Sequence, residues 1–296
     1  MSLLNIGDTV GFIAPSAGLE NNDIQPSLEY FEKELGLKVK LAPNLSSSYR
    51  YMAGTDSERA TTVMNMYMDK DIKALFTIKG CAGSSRILNH LDFSTIAQNP
   101  KPIFGLSDAT CLQNAIIGQT PNSAYTGFLP LYNIKKLPIN PDMNKNLKDI
   151  LFADTHQIIS GKSLINGKTE GKIIGGCLTP LMYLSGTSYM PDLANKILLL
   201  EDVKEKTYKI DLVFNQLKQH PHFDKLKGII FGQFLNCIVV DDFDGDINVC
   251  INDFIKDLTI PVITDFQYGH IQDSQIIPLG IDVTLSASAD SCSISW

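Results

Sequence analysis

Apolar and polar positions along the first half of the chain alternate between two rhythms. Short apolar runs at Thr9–Ala14 (TVGFIA), Leu37–Ala42 (LKVKLA), Ala74–Ile78 (ALFTI) and Pro102–Gly105 (PIFG) predict strands. The amphipathic stretches Ile24–Leu35, Ser57–Met68, Ser84–Leu91 and Asp108–Gln119 predict helices between them. Strands alternating with helices imply βαβ units and a mainly parallel sheet. The rhythm breaks over 131–165, where YNIKKLPINPDMNKNLKDI is polar and proline-containing. That stretch predicts a surface connection with room for one short helix. Beyond it, strands are predicted at Lys172–Gly175, Ile197–Leu200, Gly228–Phe231 and Pro261–Thr264. Helices are predicted at Leu178–Leu184, Tyr208–Lys218 and Ile247–Lys256. The tail Ile276–Trp296, punctuated by Gly, Pro and Ser, predicts antiparallel strands closing a second domain. The expected organisation is α/β, with a first domain at 1–134, a linker at 135–165 and a second domain at 166–296.

Composition narrows the function classes. With 44% apolar and 19% charged residues over 296 positions, the chain can bury a full core without a metal or disulfide staple. A net charge of −7 argues against nucleic acid as a partner, because phosphate binding rests on Lys and Arg. No polybasic run points to a membrane surface, and no apolar run reaches the ~18–20 residues of a membrane span. The six cysteines are scattered, without a C-x-x-C pair or a Cys/His group at zinc-ligand spacing. They suit a reducing compartment. The start, MSLLNIGDTVGFIAP, lacks the pattern of a signal peptide, so a cytoplasmic location is expected. No metal and no cofactor are expected.

In an open α/β sheet, ligands bind beyond the carboxyl ends of the strands. Polar residues at those ends are therefore the first candidates. In PIFGLSDATCLQNAI a strand runs through Gly105-Leu106-Ser107-Asp108-Ala109 into a helix. A serine on such a turn presents its hydroxyl at the sheet edge and at the positive end of the helix dipole. The Asp108 amide is then placed to donate to an oxyanion. The alternative is that Ser107 simply caps the helix. Glu201 ends the apolar run KILLL, where a carboxylate is partly desolvated and able to orient a histidine. It is alternatively a surface acid opening a loop. His270, in the loop YGH after a strand, is the best placed of the five histidines for a general base. It is alternatively a loop histidine bonded to local backbone. The turn TIKGCAGSSRIL exposes backbone N–H groups after a strand and suits an anion. Its Cys81 is a weaker nucleophile candidate, with no base nearby in sequence.

Three other motifs carry less. GDTVGFIAPSAG lacks both G-x-G-x-x-G and the P-loop Lys-Ser/Thr pair, and reads as part of the site floor. DDFDGD (241–246) fails the calcium-loop spacing. MNMYM reads as helix packing.

Taken together and in order, GDTVGFIAPSAG, YMAGTDSERA, KGCAGSSRIL, FGLSDAT, IIGGCL, LLLEDVKEKTYKID, GIIFGQF and YGHIQDSQIIPLG resemble the LD-carboxypeptidase family of serine peptidases. That family includes immunity peptidases that inactivate microcin C-type peptide-nucleotide antibiotics. The resemblance implies a flavodoxin-like N-terminal domain and a smaller, β-rich α/β C-terminal domain, with the active site between them. It also implies a Ser107–Glu201–His270 triad, an oxyanion hole from the amides of Asp108 and of Gly80–Cys81, and a homodimer. The family's R-G-G-Y-G-S turn is Lys79-Gly80-Cys81-Ala82-Gly83-Ser84 here, which places Lys79 and Ala82 at the substrate. Its H-G-P is Thr126-Gly127-Phe128, and its G-G-N-L is Gly175-Gly176-Cys177-Leu178; both are expected near the substrate. The leading expectation is removal of the C-terminal D-Ala from murein tetrapeptide during cell-wall recycling. Two alternatives are hydrolysis of an aminoacyl-nucleotide amide and non-catalytic peptide binding.

Overall fold

A computed structural model describes residues 2–19, 23–135, 137–154, 156–241 and 243–296. The strands in chain order are β1 (Thr9–Ile13), β2 (Lys38–Leu41), β3 (Ile72–Thr77), β4 (Ile103–Gly105), β5 (Ala124–Thr126), β6 (Gln157–Ile159), β7 (Lys162–Ile165), β8 (Gly167–Cys177), β9 (Lys196–Val203), β10 (Gly228–Leu235), β11 (Val262–Thr264), β12 (Ile277–Leu279), β13 (Asp282–Ala287) and β14 (Cys292–Ser295). They form two sheets, a six-stranded one ordered β12-β5-β4-β3-β1-β2 and an eight-stranded one ordered β6-β14-β13-β8-β9-β10-β11-β7. From β2 to β5 the first sheet is parallel, with the 2-1-3-4-5 order of flavodoxin-like folds. The expected α/β class with a flavodoxin-like first sheet is present.

The predicted helices form close to their expected bounds, including Asp56–Met68, Ala109–Gln119 and Thr207–Lys218. Helix Asp56–Met68 starts on a capping box between Thr55 and Glu58. The helix expected over 24–35 changes winding halfway, and the Leu35 N–H donates five residues back to Tyr30 (3.1 Å).

Two expectations about connections change. Residues 135–165 hold a helix, Pro141–Phe152, and the strands β6 and β7. The helix buries Met143, Leu147, Ile150 and Leu151, spaced to fall on one face. In the tail, β13 and β14 join the second sheet, but β12 does not. It pairs antiparallel with β5 at the edge of the first sheet, where Pro278 is tolerated because one side of the strand needs no partner.

The second sheet is covered on both faces. Along β9, Ile197 and Leu199 join the core shared with the first sheet, whereas Leu198 and Leu200 join a second core under helices Thr207–Lys218 and Ile247–Ile255. Strand alternation then aims Glu201 at the first sheet and Asp202 at the helical side. Among the described residues, no helix is long and apolar enough to cross a membrane.

Candidate active site

Three segments meet where the two sheets face each other. The first is the turn after β4. A β-carbon on Gly105 would stand 2.6 Å from the Ala109 β-carbon, so the helix Ala109–Gln119 starts tight against the strand only because Gly105 is bare. Ser107 takes the left-handed φ of +64°, costing about 1–2 kcal/mol for a residue with a β-carbon. The capping alternative is not realised: Asp108 is the N-cap residue, and no side chain caps the helix.

Asp108 has a role beyond its amide. Its buried carboxylate accepts from the amides of Gly83 (3.2 Å) and Ser84 (2.8 Å) and from the Ser16 hydroxyl. It ties the serine turn to the second segment, the turn 79–84. Arg59, fully buried, braces the same turn by donating to the carbonyls of Gly83 (2.8 Å) and Pro15 and to the Asp56 carboxylate. The sequence motifs GDTVGFIAPSAG and YMAGTDSERA thus act beneath the site, as its frame. Cys81, at the tip of the turn, is exposed and has a φ of +89°.

The third segment pairs β9 with the loop after β11. His270 Nδ1 lies 2.8 Å from Glu201 Oε2. Glu201 is completely buried and the His270 side chain is 13% exposed. A carboxylate only accepts, so Nδ1 carries the proton and Nε2 is left as a lone-pair donor. Burial pulls the His270 pKa down, but the charge and hydrogen bond of Glu201 outweigh it and hold it above the ordinary histidine value. Tyr132 fixes the loop by donating its hydroxyl to the His270 carbonyl (2.6 Å). A second histidine–carboxylate pair, His222–Asp192, has the same 2.8 Å separation but is exposed.

Ser107 and His270 line one pocket of about 290 Å³ with Lys79, Gly80, Cys81, Leu129, Leu131, Tyr132 and Lys135. Glu201 supports His270 from beneath. Ala82 is half-buried and does not line the pocket. Thr126, Phe128 and Cys177, expected near the substrate, are buried instead. Thr126 bonds the Tyr268 hydroxyl (2.8 Å) behind the histidine loop. Sequence reasoning missed Tyr132 and Lys135. Lys135 Nζ sits 5.2 Å from the Tyr132 ring centre, and both lie in the stretch 131–165 that the pattern predicts as a surface connection with room for one short helix.

Residues 10–127 match the LD-carboxypeptidase N-terminal domain, and residues 170–285 match the LD-carboxypeptidase C-terminal domain. The chain belongs to the LD-carboxypeptidase family. It is 32% identical to a probable murein peptide carboxypeptidase of Bacillus subtilis, over 96% of this chain and 91% of the relative. Among solved structures it resembles an MccF-like protein from Bacillus anthracis (TM-score 0.90, 26% identity, 99% of this chain and 97% of that one). It also resembles a muramoyltetrapeptide carboxypeptidase from Oxalobacter formigenes (TM-score 0.88, 25% identity, 97% and 98%). Both LD-carboxypeptidase domains fall on the segments that build the pocket, with Ser107 in the first and Glu201 and His270 in the second.

Proposed function

We propose that this LD-carboxypeptidase family member is a serine carboxypeptidase that releases the C-terminal D-Ala of murein tetrapeptide, in the cytoplasm and as a homodimer. The observation that carries this reading is the buried Glu201–His270 pair opening onto the same pocket as the strained Ser107. His270 Nε2 takes the Ser107 proton as Oγ attacks the scissile carbonyl, and Glu201 stabilises the imidazolium. The amides of Asp108 and of Gly80–Cys81 hold the oxyanion. His270 then gives its proton to the leaving D-Ala nitrogen, and water, deprotonated by the same base, clears the acyl-enzyme. Lys79 and Lys135 supply positive charge in the pocket for the substrate's terminal carboxylate.

The test is incubation with L-Ala-γ-D-Glu-meso-diaminopimelate-D-Ala and mass-spectrometric detection of D-Ala, with Ser107→Ala alongside. Release by the native chain alone supports the reading. Release by both removes Ser107 from the nucleophile role.

The likeness to an MccF-like protein favours one second reading, hydrolysis of an aminoacyl-nucleotide amide by the same residues. An aminoacyl sulfamoyl nucleoside as substrate separates the two. Cleavage of that compound with no D-Ala release from tetrapeptide selects the second.

A further inference from the structure

Cys177 and Glu201 are register partners on the adjacent parallel strands β8 and β9. Side chains at paired positions stand side by side, and here His270 reaches the same spot from the loop after β11. One Cys177 sulfur, one Glu201 carboxylate oxygen and one His270 ring nitrogen all lie within 4.8 Å of one another. Cys177 and Glu201 are buried, at 3% and 0% exposure. Glu201 Oε2 takes the histidine, but Oε1 is shielded from solvent and has no hydrogen-bond partner among the described residues. A buried carboxylate oxygen without a donor is unusual and costly.

We propose that a thiophilic divalent cation, Zn²⁺ foremost, binds Cys177, Glu201 and His270 and holds the enzyme inactive. A thiolate, a carboxylate and an imidazole are a zinc donor set, and three protein ligands leave a fourth position open. On binding, the Cys177 thiol gives up its hydrogen bond to Asp202 Oδ1 (3.5 Å) and its proton passes to solvent. One dication in and one proton out adds a single positive charge, so the site passes from the −1 of the Glu201 carboxylate to neutral, thiolate and carboxylate together balancing the metal. The orphaned Oε1 gains a partner. Whichever ring nitrogen the metal takes, the base is lost: at Nε2 the lone pair is occupied, and at Nδ1 the ring's remaining proton moves to Nε2. The ligands sit at 177, 201 and 270, so no linear spacing betrays them. The family pattern has Asn at the Cys177 position, which makes this a property of this chain's cysteine. The inhibitory half rests on the proposed hydrolase reading; the binding half does not.

The test uses the full chain, stripped with chelator and titrated with Co²⁺ and then Zn²⁺. One equivalent of Co²⁺ is expected to give a thiolate-to-cobalt charge-transfer band with tetrahedral d–d bands, displaced by Zn²⁺. Ser107→Ala keeps the band, whereas Cys177→Ser and Cys177→Asn lose it; the asparagine is the family's own residue and guards against misfolding. One equivalent of Zn²⁺ lowers native hydrolysis at least ~10-fold, since the base is occupied, and EDTA restores it. A band that is absent, or that survives in both Cys177 variants, overturns the site. Zn²⁺ bound with hydrolysis unchanged overturns the inhibition. A band in a chain that cleaves neither substrate upholds the site and sinks the hydrolase reading instead.

Discussion

Gly80 presses against Ser107: a β-carbon on Gly80 would stand 2.8 Å from the serine β-carbon and 3.0 Å from its Oγ. The first distance is shorter than real β-carbons show and the second is tighter than nearly all of them, and the left-handed Ser107 backbone leaves little room to yield. Gly80→Ala is therefore expected to push the hydroxyl out of line with His270 and lower kcat about 10²-fold, the scale of a 1 Å misplacement. Stability should change much less. Steady-state kinetics beside a melting curve check this; an active Gly80→Ala enzyme refutes the proposed crowding.

Ser107→Ala and Glu201→Gln separate the two halves of the proposed triad. Ser107→Ala is expected to lower kcat about 10⁶-fold by removing the nucleophile, and Glu201→Gln about 10⁴-fold by failing to hold the His270 tautomer. The double variant should lose little more than Ser107→Ala alone, because the residues act as one unit. Additive losses in single-turnover assays would show that Glu201 acts elsewhere.

Lys135, over the Tyr132 ring at the pocket wall, should read the charge of the substrate's end. Lys135→Met is expected to raise KM about tenfold for a free-acid peptide, the worth of one charge-assisted hydrogen bond, with kcat nearly kept. The C-terminal amide of the same peptide should bind both enzymes alike. Equal loss for acid and amide would assign Lys135 to packing.

Lys101 supplies a pH dependence remote from the chemistry. Its ammonium donates from a buried site to the carbonyls of Asp69 (2.6 Å) and Met66 (3.3 Å). Burial pulls its pKa from 10.5 down to about 8, against the opposing pull of Asp69. Between those values the unfolded chain binds the proton and the folded chain does not, so this residue's contribution to stability rises with pH. Below about 8 both states are charged and the contribution is level, at its minimum. Urea unfolding of native and Lys101→Met proteins from pH 7 to 10.5 should show a stability difference that shifts toward the native protein above pH 8. A constant difference contradicts the assignment.

Much of the first sheet and the serine turn was legible because each depends on neighbours in sequence. Gly105, Ser107 and Ala109 sit within five positions, and the strand–turn–helix pattern that frames them is local. Glu201 and His270 stood out only as polar residues after strands; what sets them apart is a 2.8 Å contact between positions 69 residues apart. Tyr132 and Lys135 were illegible because their roles come from a ring lodged beneath a distant loop. Strand β12 was misassigned for a related reason: three residues, Ile-Pro-Leu, carry no sign of which sheet edge awaits them.

That small strand has a temporal meaning. The ribosome finishes β5 long before it makes residues 277–279, so the first sheet keeps an open edge through most of synthesis. The His270 loop emerges just ahead of the strand that closes it. His270 and the strand that seals the sheet are thus both late products of synthesis, and a chain stalled or clipped before that point has Ser107 without the base proposed for it. Of the three groups in the proposed triad, the base is the last to be made.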